Sequence, residues 1–248
     1  MKKHKFLLVI SILLFQYSQG FSQIPLTSYN REMAEGVPSR MKPTFFHSTL
    51  TAFNTSGKYL PLVFTAYGLF AIENDPLKHI NLEFQEEILE HHTNFRTKAD
   101  NYLQFSPALA VFSLKLAGNR GENSMFNSIK LYATSTLLMA GTVYALKTTT
   151  KVLRPDGSAR TSFPSGHTAT AFAGAEFMHQ EFKNTLPVLS YSGYFVATAT
   201  GALRMYNNKH YLSDVVAGVG IGILTTKAAY WINSKLFSKS NHQKSLPQ

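Results

Sequence analysis

The sequence predicts an all-α helical bundle. Apolar residues recur at three- and four-residue spacing, and no useful stretch alternates apolar with polar residues. Pro, Gly and Asn collect at the joints between the periodic segments. The 248 residues suit one domain with small additions, and an apolar fraction of 44% is enough for a core.

The elements follow in order. Lys2, Lys3 and Lys5 precede a mainly apolar run at residues 6–15 and the small polar stretch Ser18-Gln19-Gly20. That layout reads as a secretory signal peptide over residues 1–20, with Gly20 the expected last residue removed. The run falls short of the ~20 apolar residues of a membrane span. Residues 21–57, with Pro25, Gly36, Pro38, Pro43 and Gly57, read as an extended arm. A helical domain is expected over 58–237. Its helices are placed at 60–72, 78–92, 102–117, 125–146, 165–182, 187–203 and 211–236. Ile80, Phe84 and Ile88 are expected to form the buried stripe of the second. The polar, basic tail 238–248 reads as disordered.

Composition bounds the chemistry. There is no cysteine, so disulfides, thiolate metal sites, a cysteine nucleophile and a lipid-modified N-terminal cysteine are excluded. The net charge of +10 suits anionic ligands, among which composition does not choose. Runs at 131–146, 186–203 and 215–232 approach the length of a membrane span. Buried bundle helices look the same, and the soluble or peripheral reading is preferred.

Three segments hold the informative residues. They are Lys147 with Arg154-Pro155, then Pro164-Ser165-Gly166-His167, then Arg204 with His210 and Asp214. Lys147, Arg154 and Arg204 are cations at predicted helix ends in a chain only 15% charged. Arginine offers phosphate oxygens a planar fork, and lysine offers a point charge. Ser165-Gly166-His167 opens a helix whose unpaired N–H groups and positive dipole end suit an anion. Gly166 allows close approach, and Ser165 adds a hydroxyl. His210 and Asp214 are four apart, which on a helix puts them on one face. A carboxylate on one ring nitrogen would leave the other free to attack, and His167 could protonate a leaving oxygen.

In identity and spacing, Lys147, Arg154, Pro155, Pro164, Ser165, Gly166, His167, Arg204, His210 and Asp214 resemble the motif set of a known superfamily. It is that of type 2 phosphatidic acid phosphatases and vanadium haloperoxidases, which includes bacterial non-specific acid phosphatases. The resemblance covers residues 147–214. One departure is Leu203, where the family often has Ser. The resemblance implies a helical bundle of that type and a metal-independent phosphatase. His210 would be the nucleophile, oriented by Asp214, and His167 the acid and then the base. Lys147, Arg154, Ser165, Gly166 and Arg204 would hold the phosphate. No cofactor is implied, and vanadate is the expected inhibitor.

A lipid-linked phosphomonoester or pyrophosphate is the expected substrate, such as phosphatidate, a polyprenyl diphosphate or a lipid A type phosphate. A non-specific soluble acid phosphatase, a vanadium haloperoxidase and a non-catalytic phosphate-binding module are the alternatives. The expected location is a bacterial periplasm, soluble or membrane-associated, with a membrane surface as a compatible partner and no nucleic acid. Oligomeric state is left open.

Bland readings absorb the remaining features. Gly218, Gly220 and Gly222 read as helix-packing glycines rather than a ligand loop. Glu90-His91-His92 has no second cluster to complete a metal site.

Overall fold

The computed structural model describes residues 59–93 and 95–243. The expected signal peptide and extended arm lie outside them. The chain divides into Met1–Leu60 and Pro61–Gln248, and the packing below is that of the second part.

The described residues are helical, with no strand among them. α1 is Tyr59–Phe70. α2, Asp75–His91, starts at Asn74, whose side chain accepts the Leu77 N–H, and has proline in its first turn. The expected helix 102–117 is corrected to two: α3, Ala99–Leu103, and α4, Ser106–Leu116. The cause is Pro107, which has no N–H for the Leu103 carbonyl and crowds it sterically. Ser106 Oγ donates to that carbonyl at 2.9 Å instead.

α5, Met125–Thr150, runs four residues past its expected end at 146. The hydroxyls of Thr148, Thr149 and Thr150 donate back to carbonyls of the preceding turn, so these polar side chains are satisfied within the helix. α6 is Gly166–Phe182 and α7 is Pro187–Tyr206. α8, Leu212–Gln243, continues beyond the expected end at 236 and into the expected tail. No proline interrupts the sequence until Pro247.

α6 is the axis of the bundle. It packs on α7, α8, α4 and α5, and most of its residues are buried. A helix enclosed on every side must be apolar or small all round, as its Ala- and Phe-rich sequence is. Phe177 and Phe182 are fully buried, with Ala108 and Val111 of α4 against them. Met139, Val143, Ala169 and Ile221 form a second cluster where α5, α6 and α8 meet. The α8 glycines are a packing feature. A Cβ on Gly222 would sit 2.4 Å from the Ala169 carbonyl oxygen, and one on Gly220 2.3 Å from that of Pro61.

In α2 the buried stripe differs from expectation: Asn81 and Ile88 are buried, while Ile80 is exposed. Asn81 Nδ2 donates to Ser213 Oγ at 2.8 Å, and its Oδ1 accepts the Ser213 N–H at 3.0 Å. A polar partner on α8 thus selects which face of α2 turns inward. Among the described residues, one segment, Leu212–Lys235, is long and apolar enough to cross a membrane. The sequence runs at 131–146 and 186–203 do not qualify. Burial of Val215, Val219, Ile221 and Ile223 against the neighbouring helices accounts for much of its apolarity.

Candidate active site

Lys147 lies in the last turn of α5, which Lys151 closes in the left-handed conformation. Its Nζ donates to the Thr161 carbonyl and lies 3.5 Å from that of Ser162. Burial, and then the charge of Arg154, lowers its ammonium from 10.5 to about 8. Arg154 sits in the following loop. Its carbonyl accepts the Gly157 N–H at 2.9 Å, in a turn that Gly157 permits at φ +71. Asp156 closes the turn on Ser158 and pairs with Lys209 at 2.5 Å. Burial raises the Asp156 carboxyl, but Lys209 and Ser158 outweigh that and hold it at about 2.

Ser165 is the N-cap of α6 and is fully buried. Its Oγ accepts the Thr168 N–H at 3.4 Å and shares a 2.8 Å hydrogen bond with the Thr168 hydroxyl. The Ser165 N–H donates to the Asp214 carbonyl at 3.0 Å, which joins the starts of α6 and α8. Gly166 is the first residue of α6. A Cβ there would meet only Val143 at 3.8 Å and Lys147 at 4.0 Å, so protein packing does not require glycine. His167 follows, with its Nε2 2.8 Å from Asn101 Oδ1. Burial, and then the charge of Arg204, lowers the imidazole from 6.5 to about 4.

Arg204 lies in the last turn of α7, and its guanidinium donates to Asp100 Oδ2 at 2.6 Å. His210 is buried but is not on a helix. It lies two residues before α8, so the expected placement with Asp214 on one helical face is corrected. The chain turns through Asn208 at φ 56, and the pair still meets, with Nδ1 and Asp214 Oδ2 at 3.5 Å. That is a long contact, and Nδ1 has no other partner. Asp214 Oδ2 also accepts from Ser162 Oγ at 2.5 Å and from the Tyr211 N–H at 2.9 Å. Asp214 thus helps to start its own helix, as an acid at the third position can. Burial lowers the His210 imidazole, and Asp214 opposes the shift.

The structure brings all eight singled-out residues to one end of α6. The charges of Arg154, Arg204 and Asp214 reach Lys147. Those of Arg204, Asp100, His210 and Arg154 reach His167, and Lys147 and Arg204 act on His210. Sequence reasoning missed Asp100, Asn101, Ser162 and the Asp156–Lys209 pair. Asp156 and Ser162 lay inside the quoted stretch and Lys209 beside His210. Asp100 and Asn101 carry no local signal. Leu203 is half-buried, and its carbonyl accepts the Asn207 N–H at 2.8 Å.

Among the described residues, four buried side-chain atoms have no hydrogen-bond partner. They are Asp100 Oδ1, Arg154 Nε, Arg204 Nε and His210 Nδ1, and all four belong to this cluster. Leaving one such group unpaired costs about 1–3 kcal/mol. Two of them, Arg154 Nε and Arg204 Nε, are donors that an anion's oxygens would complete. Among the described residues, no group of three His, Asp or Glu side chains could hold a metal ion.

Comparison with known proteins gives the following. Residues 129–238 match the PAP2 superfamily. The lipid A 1-phosphatase of Porphyromonas gingivalis is 42% identical over 145 residues, which are 58% of this chain and 33% of that protein. The match therefore spans about a third of the relative's length. The crystal structure of Aquifex aeolicus LpxE aligns at 21% identity and TM-score 0.47, over 61% of this chain and 94% of that one. The crystal structure of the first transmembrane PAP2 type phosphatidylglycerolphosphate phosphatase from Bacillus subtilis aligns at 19% identity and TM-score 0.45. That alignment covers 71% of this chain and 97% of the other.

Proposed function

We propose, from the match of residues 129–238 to the PAP2 superfamily, that the chain is a phosphatase acting on a lipid-linked phosphomonoester or pyrophosphate. The observation that carries this reading is the pair of unpartnered buried guanidinium nitrogens, Arg154 Nε and Arg204 Nε, gathered with Lys147 at the start of α6. A tetrahedral dianion offers oxygens to the guanidinium N–H groups and to the helix N-terminus together.

The chemistry runs in two steps. His210, kept neutral by burial, attacks phosphorus through Nε2 while its Nδ1–H faces Asp214. The P–O bond to the leaving group breaks, and His167, which takes up a proton when the bound phosphate dianion offsets the charge of Arg204 and Arg154, gives that oxygen its proton. The phosphoryl group then sits on His210, whose positive charge Asp214 balances. In the second step, water attacks phosphorus and gives a proton to His167. The P–N bond breaks and phosphate leaves. Lys147, Arg154 and Arg204 stabilise the charge on the equatorial oxygens, so the route asks for no metal ion. Gly166 keeps the helix end open to those oxygens, which explains a glycine that packing alone does not demand.

The lipid part of the reading rests on two observations. The 42%-identical relative is a lipid A 1-phosphatase. Leu109 and Leu116 on α4, and Phe126, Leu137 and Tyr144 on α5, are all more than half exposed. Apolar side chains repeated along exposed helix faces suit contact with acyl chains better than with water. Location on the outer side of the inner membrane belongs to the same proposal.

The test is phosphate release from a short-chain phosphatidate and from p-nitrophenyl phosphate, with EDTA present, by the full chain and by His210→Ala. EDTA-resistant release that prefers the phosphatidate, is inhibited by vanadate and is lost in the variant is the expected result. Release that survives in His210→Ala would remove the nucleophile assignment. Equal rates on both substrates would remove the lipid preference.

A further inference from the structure

Two neighbouring residues on the short helix α3 each touch a different member of the candidate site. Asp100 is 1% exposed, and its Oδ2 accepts from the Arg204 guanidinium. Asn101 Oδ1 lies 2.8 Å from His167 Nε2. α3 itself is fixed from the other side. The Thr97 N–H donates to Asn207 Oδ1 at 2.9 Å, and Asn207 Nδ2 donates to the Thr97 carbonyl at 3.0 Å. Just before α3, the rings of His92 and Phe95 pack edge-on against Tyr206. The segment is thereby docked on the end of α7, the helix that carries Arg204.

We propose that Asp100 and Asn101 are positioning residues: Asp100 holds the Arg204 guanidinium, and Asn101 fixes His167 as the Nε2–H tautomer, leaving Nδ1 to exchange a proton with the substrate. An amide oxygen only accepts, so the ring nitrogen facing it must carry hydrogen. In the neutral ring the lone pair then sits on Nδ1, and in the cation the transferable proton is the Nδ1 proton. Giving it to a leaving oxygen returns His167 to the neutral Nε2–H form without breaking the Asn101 contact. Taking a proton from water reverses the change. The two acceptor residues are adjacent in sequence, so one docking of α3 sets both groups at once. The role of His167 as acid rests on the phosphatase reading, whereas the tautomer does not.

The groups facing His167 are Arg204 of α7, Asp100 of α3, His210, and Arg154 of the loop before α6. Asp100 is the one carboxylate among them, and its charge favours the imidazolium.

The test is the ring 15N spectrum of the full chain with labelled histidine, titrated with pH, with His167 assigned from His167→Gln. The wild type is expected to show the Nε2–H tautomer at neutral pH. Asn101→Ala, an exposed change, should turn this into a tautomer mixture, and Asn101→Asp should restore it. Asp100→Asn should shift the His167 midpoint downward, because it removes that carboxylate charge. A wild-type Nδ1–H tautomer, or a His167 spectrum unchanged in Asn101→Ala, overturns the proposal, whether or not the protein turns over any phosphate ester. If the wild type is active, Asn101→Ala should also lower kcat by roughly 10-fold with little change in KM. An inactive wild type with the expected spectra would count against the phosphatase reading alone.

Discussion

The two ends of α6 bury charge in opposite ways. At its C-terminal end, Glu181 is 1% exposed and its carboxylate is saturated. It pairs with Lys115 at 2.8 Å and accepts from Asn123 Nδ2 at 2.8 Å, Ser128 Oγ at 3.0 Å and Tyr230 OH at 2.6 Å. At the N-terminal end, Lys147, Arg154 and Arg204 face the carboxylates of Asp100 and Asp214, and positive charge is left over. Every buried side-chain atom without a partner, among the described residues, is at that end. Burial alone does not distinguish a staple from a site. Completion of the hydrogen bonds does. A saturated cluster gains nothing from a ligand and holds helices together, whereas an unsaturated one stores a cost that a ligand can remove.

Four changes would sharpen or break this contrast. The largest effect is expected at the unsaturated end. Asp214→Ala should lower kcat by roughly 10³–10⁴-fold while the far-ultraviolet circular dichroism stays that of the folded chain. A small kinetic effect would make Asp214 a helix-capping residue only. At the saturated end, Glu181→Ala should cost about 3–5 kcal/mol in denaturant unfolding, because Lys115 is left buried and unpaired. Turnover per folded molecule should not change. Burial raises the Glu181 carboxyl, but Lys115, Tyr230 and Asn123 outweigh it and hold it below 4.5. Its contribution is therefore full above pH 4.5 and lost as pH falls through the lower folded value.

The third effect is on binding. Lys147 loses its proton above about 8, because burial and Arg154 lower it. KM for a phosphate ester should therefore rise above that pH by up to about tenfold per unit, an increase that Lys147→Arg should abolish. The smallest effect is expected at Gly166→Ala. Its new methyl meets nothing closer than 3.8 Å, so stability should move by less than about 1 kcal/mol. KM should nevertheless rise several-fold if the helix end receives the phosphate. An unchanged KM would mean that the anion sits elsewhere.

Much of the fold was legible because α6, α7 and α8 are largely apolar runs of helical length that begin at Ser165, at Pro187 and beside Asp214. Local rules also explain two of the misses. Pro107 splits the expected helix 102–117, and α5 runs on to Thr150, where Lys151 closes it in the left-handed conformation. The face of α2 was not legible, since an asparagine is buried only where a partner such as Ser213 waits. The eight candidate site residues could be named because each lies in a short segment whose internal spacing is itself informative. Asp100 and Asn101 could not, since their partners Arg204 and His167 are 104 and 66 positions away.

By itself, the sequence determined the helices and the identity of the charged and imidazole groups at their ends. Both follow from interactions within a few residues: backbone hydrogen bonding, capping and the spacing of apolar side chains. Only the tertiary structure decided which buried charges are satisfied. It placed Glu181 within reach of donors from four residues, and it left Asp100, Arg154, Arg204 and His210 each with an atom unpaired. Burial and hydrogen-bond completion depend on what other segments bring to the same point in space, and no local pattern encodes that.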